Sequence, residues 1–505
     1  MAAEHAAGAA PKVLRGLEEA AEGVWVAPDL PAGIAPHDRA RAVDEVRRAL
    51  LAGARSGVEV VAGGSLVLVT GMPLAEVECR AREAPPARPP RRHEFAVRYD
   101  GPDLESAAKT LGITARALAE RHQASVYAAL LTGFLPGFAY LGDVDETLSL
   151  PRLPQPRARV PAGALAIAGR MTAAYPFASP GGWNLIGHVD PAALFDVGRV
   201  PHATIQALDE VRFVESGAPF EVRERAPVEP TAAPAIVIER LAGLATIQDE
   251  GRFGHRADSV PGSGPLDSET HAAANRAAGN DRDAATIELI GGALTLVAQK
   301  ALTLSVNGAA SQRVAAGERV TLKVGERLTS YLAISGGVDV PRVLGSRSTL
   351  LVAGLGGFHG RGLKAGDALA IGEPSSREGG RTEPTEEWQR PDVAALGVRR
   401  SRKDPRIPAD AFARLLGLDC SLSAKRDRVG ARFDGGKLGE READRSLPDP
   451  VVPGSIQVTT DGTLIALGPD AAVTGGYPVV AVLDEESRAL LGRLRPGQRV
   501  RFQER

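Results

Sequence analysis

The sequence is poor in cysteine: Cys79 and Cys420 are the only two in 505 residues, and they lie far apart. They build neither a disulfide framework nor a thiolate metal motif, which fits a reducing compartment. Charge of one sign is not in excess, the formal net charge being -2 at pH 7. No basic field is available to hold nucleic acid or an anionic membrane. No apolar run approaches the roughly 18 residues that span a bilayer. The opening MAAEHAAGAAPKVLRG carries Glu4 and no continuous apolar core, so it does not read as a secretory signal, and a cytoplasmic protein is expected. GxxxxGKS/T, HExxH, CxxC and GxSxG are all missing, and GLGGFHG (354–360) lacks GxGxxG spacing. The nine histidines show no helical or hairpin metal-ligand spacing, so none is assigned to a metal, and no AMKM-type stretch would accept biotin.

Glycine (57) and proline (37) are plentiful, together well above an ordinary usage of roughly 12%. That favours turn-rich β architecture, and the length favours several domains. Residues 1–92 read as a small α/β domain. HDRARAVDEVRRALLAGA (37–54) is its helix, stopping near Gly53, and VEVVAG with SLVLVT (58–70) is a hairpin turning at Gly63-Gly64. A proline-rich linker, APPARPPRR, precedes a second domain over 93–225. There Asp103 and Thr114 are expected to cap two short helices. ALAIA (164–168) and WNLIG (183–187) are buried strands, and the Gly169–Gly182 stretch is a long ordered loop between them. A Pro/Ala linker (226–236) divides the chain. Beyond it come a strand-rich unit (237–372), a polar flexible connection (373–395) and a last unit (396–505). VPAGALAIAG before GGW at 181–183 is echoed by VPGSIQV (452–458) before GGY at 475–477. This echo predicts two related barrels in one chain.

GFLPGFAYLG, PRARVPAGALAIAG and SPGGWNLIG resemble the family that contains the B subunit of bacterial 5-oxoprolinase and a sporulation-kinase inhibitor. GLATIQDEGRFGH (243–255), VPGSGPLD, AANRAAGN, YLAISGGVDVPRVLGSRST (331–349), DRVGAR, VPGSIQVTTDG and TGGYP resemble the C subunit. The chain thus resembles a B–C fusion joined at the linker. The resemblance implies a mainly β protein of tandem cyclophilin-like β-barrel domains, at 93–225, 237–372 and 396–505, behind the small N-terminal α/β domain. It also implies ATP-dependent opening of the cyclic amide 5-oxoproline to glutamate with a separate A-type subunit, using ATP and Mg. Related domains act as carboxyltransferases on urea-like amides with a biotin carrier on another chain, and the inhibitor relatives bind a histidine kinase. A dimer or larger assembly is left open.

Several residues stand out as candidates. His122 matches a histidine of the B-type pattern and serves either as a substrate or phosphate contact or as a helix C-terminal histidine favoured by the dipole. Phe138 and Tyr140 either wall a small-molecule pocket or pack. Gly181 and Gly182 let backbone approach a ligand beside Trp183, or form a tight turn alone. Gln248, Asp249 and Arg252 place an amide, a carboxylate and a guanidinium within five residues, able to orient a lactam and a phosphate or to tie a buried turn. Asp267 suits an N-cap. Glu288 sits in the apolar strand IELIG, where a charge is costly unless paired or used. Arg347 lies between hydroxyls in GSRST, an anion-binding type of cluster or an ordinary polar turn. Arg428, Gln457 and Tyr477 match the C-type pattern. The implied roles are Asp249 or Glu288 as general base or metal-phosphate ligand, and Arg252, Arg347 and Arg428 as neutralisers of phosphoryl charge.

Overall fold

A computed structural model describes residues 14–31, 33–83, 85, 88–142, 144–217, 233–374, 388–440 and 447–505. Most of the 226–236 linker and of the 373–395 connection therefore lies outside the described residues. In the N-terminal unit the helix Pro36–Leu51 buries Val43, Val46 and Leu50. It packs on a four-stranded antiparallel sheet ordered Leu14–Ala20, Gly23–Pro28, Val67–Thr70, Glu59–Ala62. The expected hairpin is present, with Glu59 opposite Thr70.

The next unit is a closed seven-stranded barrel. Around its circumference run Arg92–Arg98, Asn184–Val189, Ala164–Ala168, Met171–Ala174, Ala139–Gly142, Tyr127–Thr132 and Glu210–Glu215. Closure is made by a parallel pairing of the last of these strands with the first. Period-two alternation sends Leu165 and Ile167 into one core cluster, while Ala164, Ala166 and Ala168 face a second, aromatic one. Two local expectations are corrected here. The Gly169–Gly182 stretch is no loop: Met171–Ala174 folds straight back onto Ala164–Ala168, and Ser179–Gly181 pairs with Arg157–Val160. Gly169, at φ 59°, supplies the left-handed turn between the first two. Thr114 caps its helix by accepting from Ala117 N at 3.1 Å. Asp103 does not cap; its carboxylate instead takes Arg157 at 2.5 Å and Leu185 N at 2.7 Å, partners that sequence proximity could not reveal.

Residues 393–504 repeat this barrel strand for strand. Val393–Arg400, Val479–Leu483, Ser455–Val458, Thr463–Leu467, Gly430–Lys437, Cys420–Arg426 and Arg499–Glu504 occur in the same circular order. They close by the same parallel pairing of last with first. Even the accessory two-stranded ribbon recurs, as Asp449–Pro450 with Thr474–Gly475.

The unit between the barrels departs from the expected third barrel: seven of its eight strands form a path whose ends do not pair, and the eighth, Arg319–Lys323, pairs off that path with Thr286–Ala298. The edges are short, Gln312–Val314 on one side and Val338–Asp339 on the other. Its spine is two 13-residue antiparallel strands, Ile236–Gln248 and Thr286–Ala298. They bend at a bulge where Gly243 and Gly292 hold positive φ and the two backbones touch: a Cβ on Gly292 would land on the Ala242 carbonyl oxygen. Helix Ser268–Ala278 lies against this sheet, capped by Asp267 and stopped by left-handed Gly279, as its sequence predicts.

All four units meet at the turn Arg256–Asp258. Arg256, buried, pairs with Glu59 of the N-terminal unit at 3.1 Å and donates to the Val451 carbonyl of the last barrel. Beside it Phe195 and Ala203 of the first barrel pack with Val260, Leu350, Ala353 and Leu355. Among the described residues no helix is long and apolar enough to cross a membrane.

Candidate functional site

The first long strand ends at Gln248, and the chain turns sharply through Asp249 to Arg252. The Asp249 carboxylate takes Ser346 Oγ at 2.5 Å, Arg347 N at 2.5 Å, Ser348 Oγ at 2.7 Å and its own Gly251 N at 2.9 Å. The GSRST loop does hold an anion, and that anion is Asp249. The Arg347 side chain goes instead to Val340 O and Asp339. Gln248 Nε2 donates to Thr246 Oγ1 and Thr349 O, while its Oε1 is buried without a partner.

Arg252 is 2% exposed. Nε donates to Val343 O at 3.1 Å and Nη2 to Ser348 O, but Nη1 is buried with no partner. Burial pulls its pKa down to about 10, with Asp249 and Asp470 holding against that fall. A buried guanidinium with an unmet donor is costly in an apolar interior.

Arg252 lines a cavity of about 410 Å³ between the middle sheet and the last barrel, within the range of about 300–1,000 Å³ usual for small-molecule sites. Arg256, Arg282, Arg426 and Arg488 also line it, together with Glu59, Glu250, Asp427 and Glu485. His271 adds an imidazole that burial keeps neutral. Phe253, 70% exposed, stands beside Arg252 in the same lining.

Glu288 and Arg428 lie in the packing between these same two units, in a network closed on itself. Arg428 Nη1 meets Glu288 Oε1 at 2.5 Å, and Nε and Nη2 each meet Asp470 at 2.9 Å. Tyr331 Oη and Leu266 N donate to Glu288 Oε2 at 2.6 and 2.8 Å. Burial opposes the Arg428 charge, but Asp470 and Glu288 outweigh it and raise its pKa. The charge in IELIG is thus paired, and the pair joins the middle sheet to the last barrel. Gln457 Nε2 donates to Tyr477 O at 3.1 Å, a contact within the last barrel.

The B-type candidates lie elsewhere. His122 is wholly buried, its ring nitrogens engaged by Tyr99 Oη at 2.8 Å and Thr172 Oγ1 at 2.9 Å, and burial pushes its pKa down to about 3. Phe138, Tyr140 and Trp183 form an edge-to-face aromatic cluster with Tyr175, with Gly181 tucked against the Tyr175 ring. Gly182 has only Leu153 and Pro156 nearby. This cluster meets the last barrel, since Leu447 packs on it and Phe134 N donates to Thr474 Oγ1. Of the residues singled out in the sequence, Arg252 is the one that lines the cavity. Sequence reasoning missed Arg282, Arg426, Arg488 and His271, which converge on it from four separate segments. It also missed His202, His255 and Asp258, whose ligand atoms lie within 4.8 Å of one another.

Two related barrels flank a bent sheet, with a charged cavity at one seam. The chain matches the model for carboxyltransferase domain, subdomain C and D, over residues 35–205, and that for subdomain A and B over residues 258–504. It belongs to that family, carrying a C-type 5-oxoprolinase half behind a B-type half in one chain. It is 36% identical to the C subunit of 5-oxoprolinase from Escherichia coli K12, over 52% of this chain and 89% of that one. It is 44% identical to the B subunit of 5-oxoprolinase from Escherichia coli O157:H7, over 23% of this chain and 52% of that one. The crystal structure of TTHA0988 superposes with a TM-score of 0.82 at 29% identity, covering 95% of this chain and 99% of that one.

Proposed function

We propose that the chain is the fused B–C component of an ATP-dependent 5-oxoprolinase, opening 5-oxoproline to glutamate together with a separate A-type subunit. The observation that carries the chemistry is Arg252, a buried guanidinium with an unmet Nη1, among the residues that line a cavity together with four further arginines. A lactam is a poor electrophile. Transfer of the γ-phosphoryl group of ATP to the lactam oxygen releases ADP and leaves an activated carbon. Water then adds there, the ring C–N bond breaks, and phosphate departs with glutamate as the product. Both halves of that sequence spread negative charge over phosphoryl oxygens, and fixed guanidinium groups are suited to stabilise it. Arg252 is the neutralising group in this reading, oriented by Val343 O and Ser348 O. Asp249 and the Glu288–Arg428–Asp470 network hold the walls in place. ATP with Mg and the A-type subunit are parts of the proposal.

The test is release of glutamate and ADP from 5-oxoproline plus ATP by the purified chain, with and without the A-type subunit. Release only when both are present supports the reading. No release from an intact complex overturns 5-oxoproline as substrate, and a urea-like amide with a biotinylated carrier is then the substrate class to assay.

A further inference from the structure

We propose that His202, His255 and Asp258 form a binding site for a zinc-class divalent cation at the junction of the B-type and C-type halves. His202 lies on the first barrel, on the segment after Pro191–Ala193, where its carbonyl accepts from Asp196 N at 2.9 Å. His255 and Asp258 come from the far side of the linker, at the turn Arg256–Asp258. Backbone bonds from Asp258 N and Val260 N to His255 O, at 3.0 and 3.2 Å, fix that turn.

Three observations point to a ligand. One ligand atom from each side chain falls within 4.8 Å of the other two. His202 is 9% exposed, and its Nδ1 is buried with no hydrogen-bond partner. The two imidazoles lie against each other, with ring centroids 5.4 Å apart, an arrangement that a shared cation between their nitrogens would explain. Tetrahedral bonds of about 2.1 Å place ligand atoms about 3.4 Å apart, so closing on a cation takes a contraction of roughly an ångström, within reach of side-chain torsions. Two imidazoles and one carboxylate are a borderline donor set, suited to zinc or cobalt rather than to magnesium or calcium. Three protein ligands also leave at least one position open to water or an anion. Arg256, between the C-type ligands in sequence, is taken up by Glu59 and the Val451 carbonyl.

The experiment uses the metal-stripped full chain, titrated with Co²⁺ followed by visible absorption and with Zn²⁺ by calorimetry. One equivalent is expected to bind with a low-symmetry Co²⁺ spectrum. His202→Ala and His255→Ala are each expected to abolish that spectrum, and Asp258→Asn to weaken Zn²⁺ binding at least about tenfold. His359→Ala, remote in sequence, is expected to keep both. His255 is only half-buried, so His255→Ala tests the site even if the more buried His202→Ala fails to fold. Absence of stoichiometric uptake overturns the proposal. So does uptake that survives His255→Ala, which would place the metal elsewhere and leave the two histidines as packing.

Discussion

Replacing Arg428 with methionine keeps an unbranched, flexible apolar stem and removes the guanidinium with its charge. In the native chain Glu288 is 0% and Asp470 2% exposed, and Arg428 reaches both. Removing one partner of a buried ion pair costs about 3–5 kcal/mol, because the remaining charge stays out of water without compensation. Here two carboxylates are stranded. Tyr331 Oη, Leu266 N and Ser263 Oγ still donate to them, which keeps the loss within that range rather than doubling it. For a folding unit of this size, each kcal/mol moves Tm by about 2–4 °C, so the transition that melts the middle sheet and last barrel is expected to fall by about 6–20 °C. Scanning calorimetry is the assay, since a chain of several units need not melt in one step. The discriminating variant is Arg428→Met with Glu288→Gln and Asp470→Asn, which removes the stranded charges as well and is expected to recover at least half of the loss. A triple variant as unstable as the single one would refute the reasoning, assigning the loss to packing. A single variant that melts with the native chain would refute it more simply.

The proposed activity gives a second test: Arg252→Ala, assayed in complex with the A-type subunit, is expected to lower kcat about 100- to 1,000-fold, as loss of a preorganised donor to developing charge does. The pH dependence of stability gives a third. His122 has a folded pKa near 3, depressed from 6.5 by burial. Its contribution is therefore complete above pH 6.5 and is lost as pH falls toward 3, at up to about 1.4 kcal/mol per pH unit. Melting curves between pH 4 and 8 are expected to show His122→Phe less stable at pH 8 but less acid-sensitive. Adjacent glycines give a fourth. Gly292→Ala collides with the Ala242 carbonyl and is expected to destabilise by more than 2 kcal/mol, whereas Gly291→Ala meets open space and bears only the left-handed backbone cost of about 1–2 kcal/mol. Equal losses in urea titrations would contradict the bulge geometry.

What could be read from the chain was what short-range bonding decides. Thr114 reaches a nitrogen three residues on, and Asp267 caps over the same distance, so both caps were legible. Asp103 looked the same but was claimed by Arg157 and Leu185, which the barrel brings to it. The QDEGR turn announced an ordered cluster, yet whether Asp249 faced a ligand or its own chain depended on a loop almost a hundred residues away. The cavity was invisible for the same reason. Its walls come from segments that touch only after two units dock, and no local period marks a residue that will face a seam. The duplicated barrel showed faintly through two glycine-proline phrases, because turns repeat in sequence more faithfully than the apolar strands between them.

That each barrel closes by joining its first strand to its last has a consequence for how the chain is made. On the ribosome the first barrel stays an open sheet until Glu210–Glu215 emerges, with Arg92–Arg98 waiting as an unpaired edge. The same vulnerability returns for Val393–Arg400 until Arg499–Glu504 arrives. Such edges invite pairing with another nascent chain. Arg92, Glu94, Arg399 and Arg400 are exposed on these two opening strands, and charge at an unpaired edge discourages a stranger from docking before the proper partner is synthesised.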